Sequence, residues 1–154
     1  MFRIEIGDFR DQRVIALLAL HVTESRANTA PGSAHALDLE RLHQPNIHFW
    51  TIWDGDNLVG MGALKWLSTD HGEVKSMRTV KGAQRSGVGS AMLSHIIGVA
   101  RTLGVKRLSL ETGSWPYFDA ARAFYTGHGF VQCGPFGDYV TDPNSIFMTL
   151  EILA

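Results

Sequence analysis

Between Glu73 and Gly104 the hydrophobic period changes once, and that change constrains most of what the chain can become. EVKSMRTV alternates as a half-buried strand does, its side chains facing opposite sides in turn. After KGAQRSGVG, the apolar residues Val88, Met92, Leu93, Ile96, Ile97, Ala100 and Leu103 recur at helical spacing, and Gly104 closes the helix. A helix that starts straight after a strand leaves the N–H groups of its first turn unpaired. Gly87 and Gly89 let a ligand approach that backbone with no Cβ in the way. Free amides and the helix dipole both favour an anion there. Arg78, Lys81 and Arg85 add positive charge beside the turn, which therefore reads as a pyrophosphate cradle.

The other segments fit around this unit. Phe2 to Ile6 alternates as a first strand, and Val14, Ile15, Leu17, Leu18 and Val22 mark one side of a first helix. A short second helix is expected after Ser33 as N-cap, carrying Leu37 and Leu42 and stopping before Pro45. Phe49 to Trp53 and Leu58 to Leu67 form a hairpin about Asp54-Gly55-Asp56-Asn57. Beyond the glycine unit, Arg107 to Thr112 is a strand and Ala120 to His128 a helix ended by Gly129. Phe130 to Cys133 and Ile146 to Ile152 are strands flanking a long Gly/Pro loop. With no repeat and no linker, residues 1–154 read as one α/β domain with a mixed sheet, antiparallel at first and then crossing over through a helix.

Composition narrows the function classes. Hydrophobic residues at 45% and charged ones at 19% suit an ordinary folded core. A net charge of −1 gives no broad positive field, so neither nucleic acid nor an anionic membrane is an expected partner. Cys133 stands alone, which excludes an internal disulfide, and no helix start or histidine is placed beside it to make it a nucleophile. The amino terminus lacks signal-peptide character, so the expected compartment is the cytoplasm. His21, His35, His43, His48, His71, His95 and His128 form no close ligand pair, and no metal is expected.

Two phosphate motifs fail. No Gly-Lys-Ser/Thr follows the loop, as a Walker sequence would require, and no G-x-G-x-x-G precedes the helix. What stands is Gln84-x-x-Gly87-x-Gly89 after EVKSMRTV, with AFYTGHGF downstream. Together these resemble the GNAT superfamily of acetyl-CoA-dependent N-acetyltransferases over nearly the whole chain, and GEVKSM, SLETGS, CGPFGDY and DPNSIFM look like its small stand-alone bacterial members. The resemblance implies an α/β (α+β) fold, a mixed central sheet of about seven strands with helices on both faces. Two positions depart from the pattern. Phe118 stands where many relatives place an Asn that touches the cofactor, and Lys81 replaces a common Pro.

The resemblance implies roles residue by residue. The turn Gln84, Arg85, Ser86, Gly87, Val88, Gly89 and Ser90 would hold the pyrophosphate of CoA, Arg85 adding side-chain charge. The main chain of Met77, Arg78 and Thr79 would pair with the pantetheine amides. Tyr125 sits where relatives keep a tyrosine near the CoA sulfur; it is either a general acid or cofactor packing. Glu73 and Glu111, at the ends of neighbouring strands, are each a candidate base for the attacking amine or else a strand-end charge. His35 lies in the segment that lines the acceptor site in relatives, and could equally be an exposed helix residue. Trp50, Trp53 and Trp66 read as core, whereas Trp115 could wall the acceptor pocket. Asp138, in the long loop, is a candidate for holding a cationic amine. The implied activity is acetyl transfer from acetyl-CoA to a primary amine of a small molecule or a protein, without an acyl-enzyme. A non-catalytic acyl-CoA sensor is the alternative, and a homodimer is allowed.

Overall fold

The β2–β3 hairpin is the centre from which the rest is built. In the computed structural model, which describes residues 1–153, β2 (Ile47–Asp54) turns through Gly55 at φ +60° into β3 (Asn57–Trp66). That positive φ is easy for glycine and costly for most residues. β1 (Phe2–Ile6) pairs antiparallel with β2, and β4 (His71–Thr79) antiparallel with β3. Beyond the crossover helix, β5 (Arg107–Gly113) lies parallel to β4, followed by β7 (Ser145–Glu151) and the edge strand β6 (Val131–Cys133). The order β1-β2-β3-β4-β5-β7-β6 is the mixed seven-stranded sheet expected from the sequence.

Helices cover both faces. α1 (Gln12–Ala27), capped by the Asp11 carboxylate, packs Val14, Leu17 and Leu18 with Phe49, Trp53, Met61 and Ala63. On the other face, α3 (Val88–Thr102) buries Val88, Met92, Leu93, Ile96 and Ala100 against Trp50, Ile52 and Leu64. α4 (Asp119–Gly127) adds Tyr125 to that core. Trp50 and Trp53 are buried, on opposite faces as strand alternation requires, and Trp66 is half-buried. Among the described residues, no helix is long and apolar enough to cross a membrane.

One expected boundary is wrong. α2 spans only Leu39–Leu42, and its cap is Asp38, whose side chain accepts from the Arg41 amide at 2.9 Å. Ser33 instead closes a turn on the Ala30 carbonyl (3.0 Å). An ionised side chain beside the first-turn amides also complements the helix dipole, which a hydroxyl cannot do. As a result, residues 34–38 remain irregular, and Ala34 to Ala36 line the cleft described below.

α3 reaches the sheet because β3 has no side chain beneath it at two places. A Cβ on Gly60 would come within 2.8 Å of both the Arg78 carbonyl oxygen and Val88 Cγ1, and one on Gly62 within 2.6 Å of Met92 Cγ. Gly60→Ala should therefore destabilise the fold by about 1–3 kcal/mol, because a backbone oxygen cannot give way cheaply. A urea titration would show it as a lower midpoint with unchanged slope.

Candidate active site

The site originates in one extra residue. Met61 pairs with Arg78 and Ala63 with Lys75, so β4 spends one residue more than β3 over that step. Ser76, at φ +55°, takes up the surplus as a bulge, which bends and twists the strand. β4 consequently pairs with β5 only from His71 to Glu73. Past that point the strands diverge, leaving the β5-facing edge of β4 without a strand partner. A cleft opens between them, walled by Val74 to Met77, by Leu110 to Gly113, by His21 and Ser25 of α1, and by Phe118 and Tyr125 on the opposite face.

The glycine turn lies where the bare edge ends. Gly82 (φ +97°), Arg85 (φ +64°) and Gly87 (φ +90°) curl the chain into α3, and Val88 is buried beneath Gly60 as the anchor. No side chain caps the helix; its first internal bond runs from the Ala91 amide to the Gly87 carbonyl at 3.0 Å. The amides of Val88, Gly89 and Ser90 therefore face outward with no intrahelical partner, as an anion site requires. α4 clasps this turn. Phe124 lies 3.3 Å from where a Gly89 Cβ would stand, and His128 Nε2 lies 3.1 Å from Ser90 Oγ. His128 Nδ1 is 2.8 Å from the Phe124 carbonyl oxygen, which can only accept. In the neutral ring Nδ1 therefore carries the proton and Nε2 accepts from Ser90.

The two carboxylates differ in surroundings. Glu73 is buried, and its Oε2 accepts from Tyr139 (2.5 Å) and from Lys75 (3.2 Å), while Lys75 also donates to the Tyr139 oxygen at 2.8 Å. This closed network ties the β6–β7 loop to β4. Burial, helped by the Glu73 charge, pushes the Tyr139 phenol far above its usual range. Glu111 faces the cleft, and burial pushes its carboxyl up to about 7, so near neutrality it exchanges a proton readily. Burial also raises the Tyr125 phenol, which stays protonated at any physiological pH.

The remaining expected residues divide. His35 lines the cleft, edge-on to Tyr139 at 4.9 Å. Trp115 is exposed and its Nε1 donates to Asn144 Oδ1 at 3.1 Å, so it does not wall the cleft. Asp138 is exposed as well, because the inward turn of its neighbour Tyr139 leaves it outside. The loop carboxylate beside the cleft segment is Asp142, held below its usual range by hydrogen bonds from Ser33 and the Asn144 amide. Phe118 packs its ring over Gly113, where a Cβ would lie 2.3 Å away.

Several residues of the site were missed in the sequence. His21 and Ser25, four apart on α1, share one face of that helix, and Lys75 stands two from Glu73 on one strand; those spacings were the available signals. Tyr139 had none, since its partners lie more than sixty residues away. Arg78 bonds Glu24 at 2.5 Å and lies 3.5 Å from the Tyr117 hydroxyl, which donates to the same carboxylate at 2.9 Å, joining α1 to the turn before α4.

Known proteins match this sequence and this fold. The profile of the Acetyltransferase (GNAT) family matches residues 10–130. The uncharacterized N-acetyltransferase YsnE of Bacillus subtilis is 48% identical over 149 residues, 97% of this chain and 99% of that protein. An acyl-CoA N-acyltransferase from Klebsiella pneumoniae superposes with a TM-score of 0.80 at 26% identity, covering 99% of each chain. A Bacillus subtilis acetyltransferase solved in complex with CoA shares the fold, with a TM-score of 0.73 at 19% identity over 99% of this chain and all of that one.

The raised Glu111 carboxyl has a stability consequence. Between about pH 4.5 and 7 the unfolded chain has lost this proton and the folded one keeps it, so folding weakens as pH rises through that window. Glu111→Gln should be more stable than the parent above pH 7 and lose that advantage below pH 4.5. Chemical denaturation at a series of pH values would check it.

Proposed function

Because the chain belongs to the acetyltransferase (GNAT) family, we propose that this N-acetyltransferase moves the acetyl group of acetyl-CoA to a primary amine by direct attack in a ternary complex. One observation carries the reading. Unpaired amides at the mouth of α3 follow directly on a bare strand edge, and a buried tyrosine lines the cleft beside that edge. The neighbouring structure that holds CoA supports the choice of carrier.

Acetyl-CoA supplies a thioester carbonyl open to attack by an amine. The amides of Val88, Gly89 and Ser90 hold its diphosphate, with Gln84 to Gly87 shaping the turn and Arg85 adding charge. Met77, Arg78 and Thr79 offer main-chain groups to the pantetheine arm, as an edge strand does to an added strand. Phe118, in place of an Asn, supports that arm by packing alone. Glu111 takes the proton of the attacking amine, directly or through water, because its pKa lies close to the working pH. Glu73 serves differently, holding Lys75 and Tyr139 in place. The Tyr125 hydroxyl gives its proton to the departing sulfur. His35 lies on the acceptor side of the cleft.

Thiol release over an amine panel, beside calorimetry with CoA, tests the reading; CoA binding with no turnover on any amine would favour a sensor instead. Gly87→Trp should abolish CoA binding with the fold retained, since position 87 is exposed and its φ of +90° suits only glycine. Unchanged calorimetric affinity would remove the cradle. Tyr125→Phe should lower turnover on the order of a hundredfold while leaving CoA affinity near that of the parent. Equal turnover would end the proton-donor role.

A further inference from the structure

The cleft walls carry two buried polar atoms with no hydrogen-bond partner: His21 Nδ1, from α1, and Ser76 Oγ, from the bulge of β4. Buried polar groups are nearly always paired, because an unpaired one forfeits its solvation with nothing in return. Two such atoms on adjoining elements that line one cleft mark a place where an incoming polar group completes the pairing. Lys75 stands beside Ser76 in sequence and lines the same cleft. Its ammonium gives one hydrogen bond to Glu73 and one to Tyr139, which leaves a third donor uncommitted.

Charge decides which polar group belongs there. Burial is the main reason that His21 is held neutral, with its pKa lowered to about 4. Among the charges around it, Arg78 and Lys75 together outweigh Glu24, so the field at this wall is positive. A neutral imidazole offers one N–H, Ser76 offers a hydroxyl, and the Lys75 ammonium, paired with Glu73, keeps one N–H free. Such a wall repels a second cation and welcomes an anion. The opposite wall is acidic, formed by Glu111 on β5. The cleft thus has a donor-rich, positive side and a carboxylate side.

Resting on the transferase reading above, we infer that the acceptor is a free amino acid, its carboxylate received by His21, Ser76 and Lys75 and its amine presented to Glu111. Polyamines and peptide amino termini fit less well. The former bring a second positive charge to the Lys75 side, and the latter have no carboxylate next to the amine.

The test uses the full chain saturated with CoA, which cannot transfer an acetyl group, so acceptor binding is read without turnover. Calorimetric titrations with the common L-amino acids, each paired with its carboxamide, should find at least one side chain for which the acid binds about tenfold or more tightly than the amide. His21→Leu and Ser76→Ala should each bring that ratio toward one, and His21→Leu should leave CoA affinity unchanged. Amides or diamines that bind as well as the acids would overturn the inference, and so would failure of every amino acid to bind. A preference unmoved by either substitution would overturn the assigned residues; the wild-type ratio is decisive by itself if a variant does not fold. Thiol release separates the two readings. Turnover on diamines without carboxylate preference sinks this inference and leaves the transferase standing, whereas carboxylate-selective binding with no turnover on any amine sinks the transferase and the acceptor role with it, leaving only a carboxylate site at His21, Ser76 and Lys75.

Discussion

An unpaired strand edge inside a sheet is the constraint from which the rest follows. Backbone N–H and C=O groups away from water need partners, and a mid-sheet gap exposes a row of them on β4 from Val74 onward. The protein accepts this because Ser76 inserts one residue that β3 does not match, so continued pairing with β5 is geometrically closed. Everything chemical is gathered around that gap. The glycine turn follows the end of β4, α1 lies over one face with the β6–β7 loop tied to β4 through Tyr139, and α4 lies over the other. The close seating of α3 on Gly60 and Gly62 keeps the turn at a fixed height above the gap.

The electrostatics of the gap show how one environment can separate like groups. Glu73 and Glu111 sit on neighbouring strands, yet one is saturated by an ammonium and a phenol while the other meets mainly desolvation. A carboxylate with two charge-assisted bonds is a structural tie, and one left in a dry cleft is ready to exchange a proton. The same distinction separates Tyr139, bound to Glu73 through a short hydrogen bond, from Tyr125, which lines the cleft floor.

The sheet, the two main helices and the turn were legible because each rests on short-range pattern. Alternation in EVKSMRTV, the apolar face from Val88 to Ala100, and the glycines at 87 and 89 all lie within one window of sequence. The start of α2 was misread because Ser33 and Asp38 are both cap-competent residue types, and the Asp38 carboxylate complements the first-turn amides in a way the Ser33 hydroxyl cannot. The acceptor side was largely illegible. Tyr139 finds Glu73 from another part of the chain, and His21 enters the cleft only because α1 lies across the divergence of β4 and β5. Asp138 was a candidate because it is an acid in a long loop, but with its neighbour Tyr139 turned inward it lies outside.

α4 carries Phe124, and its C-cap His128, against the first turn of α3, and carries Tyr125 into the cleft. One rigid element thus touches both the anchoring end and the reacting end of the site. A displacement of this helix would therefore disturb the support of the glycine turn and the position of the Tyr125 hydroxyl in one movement, so neither can be adjusted without the other.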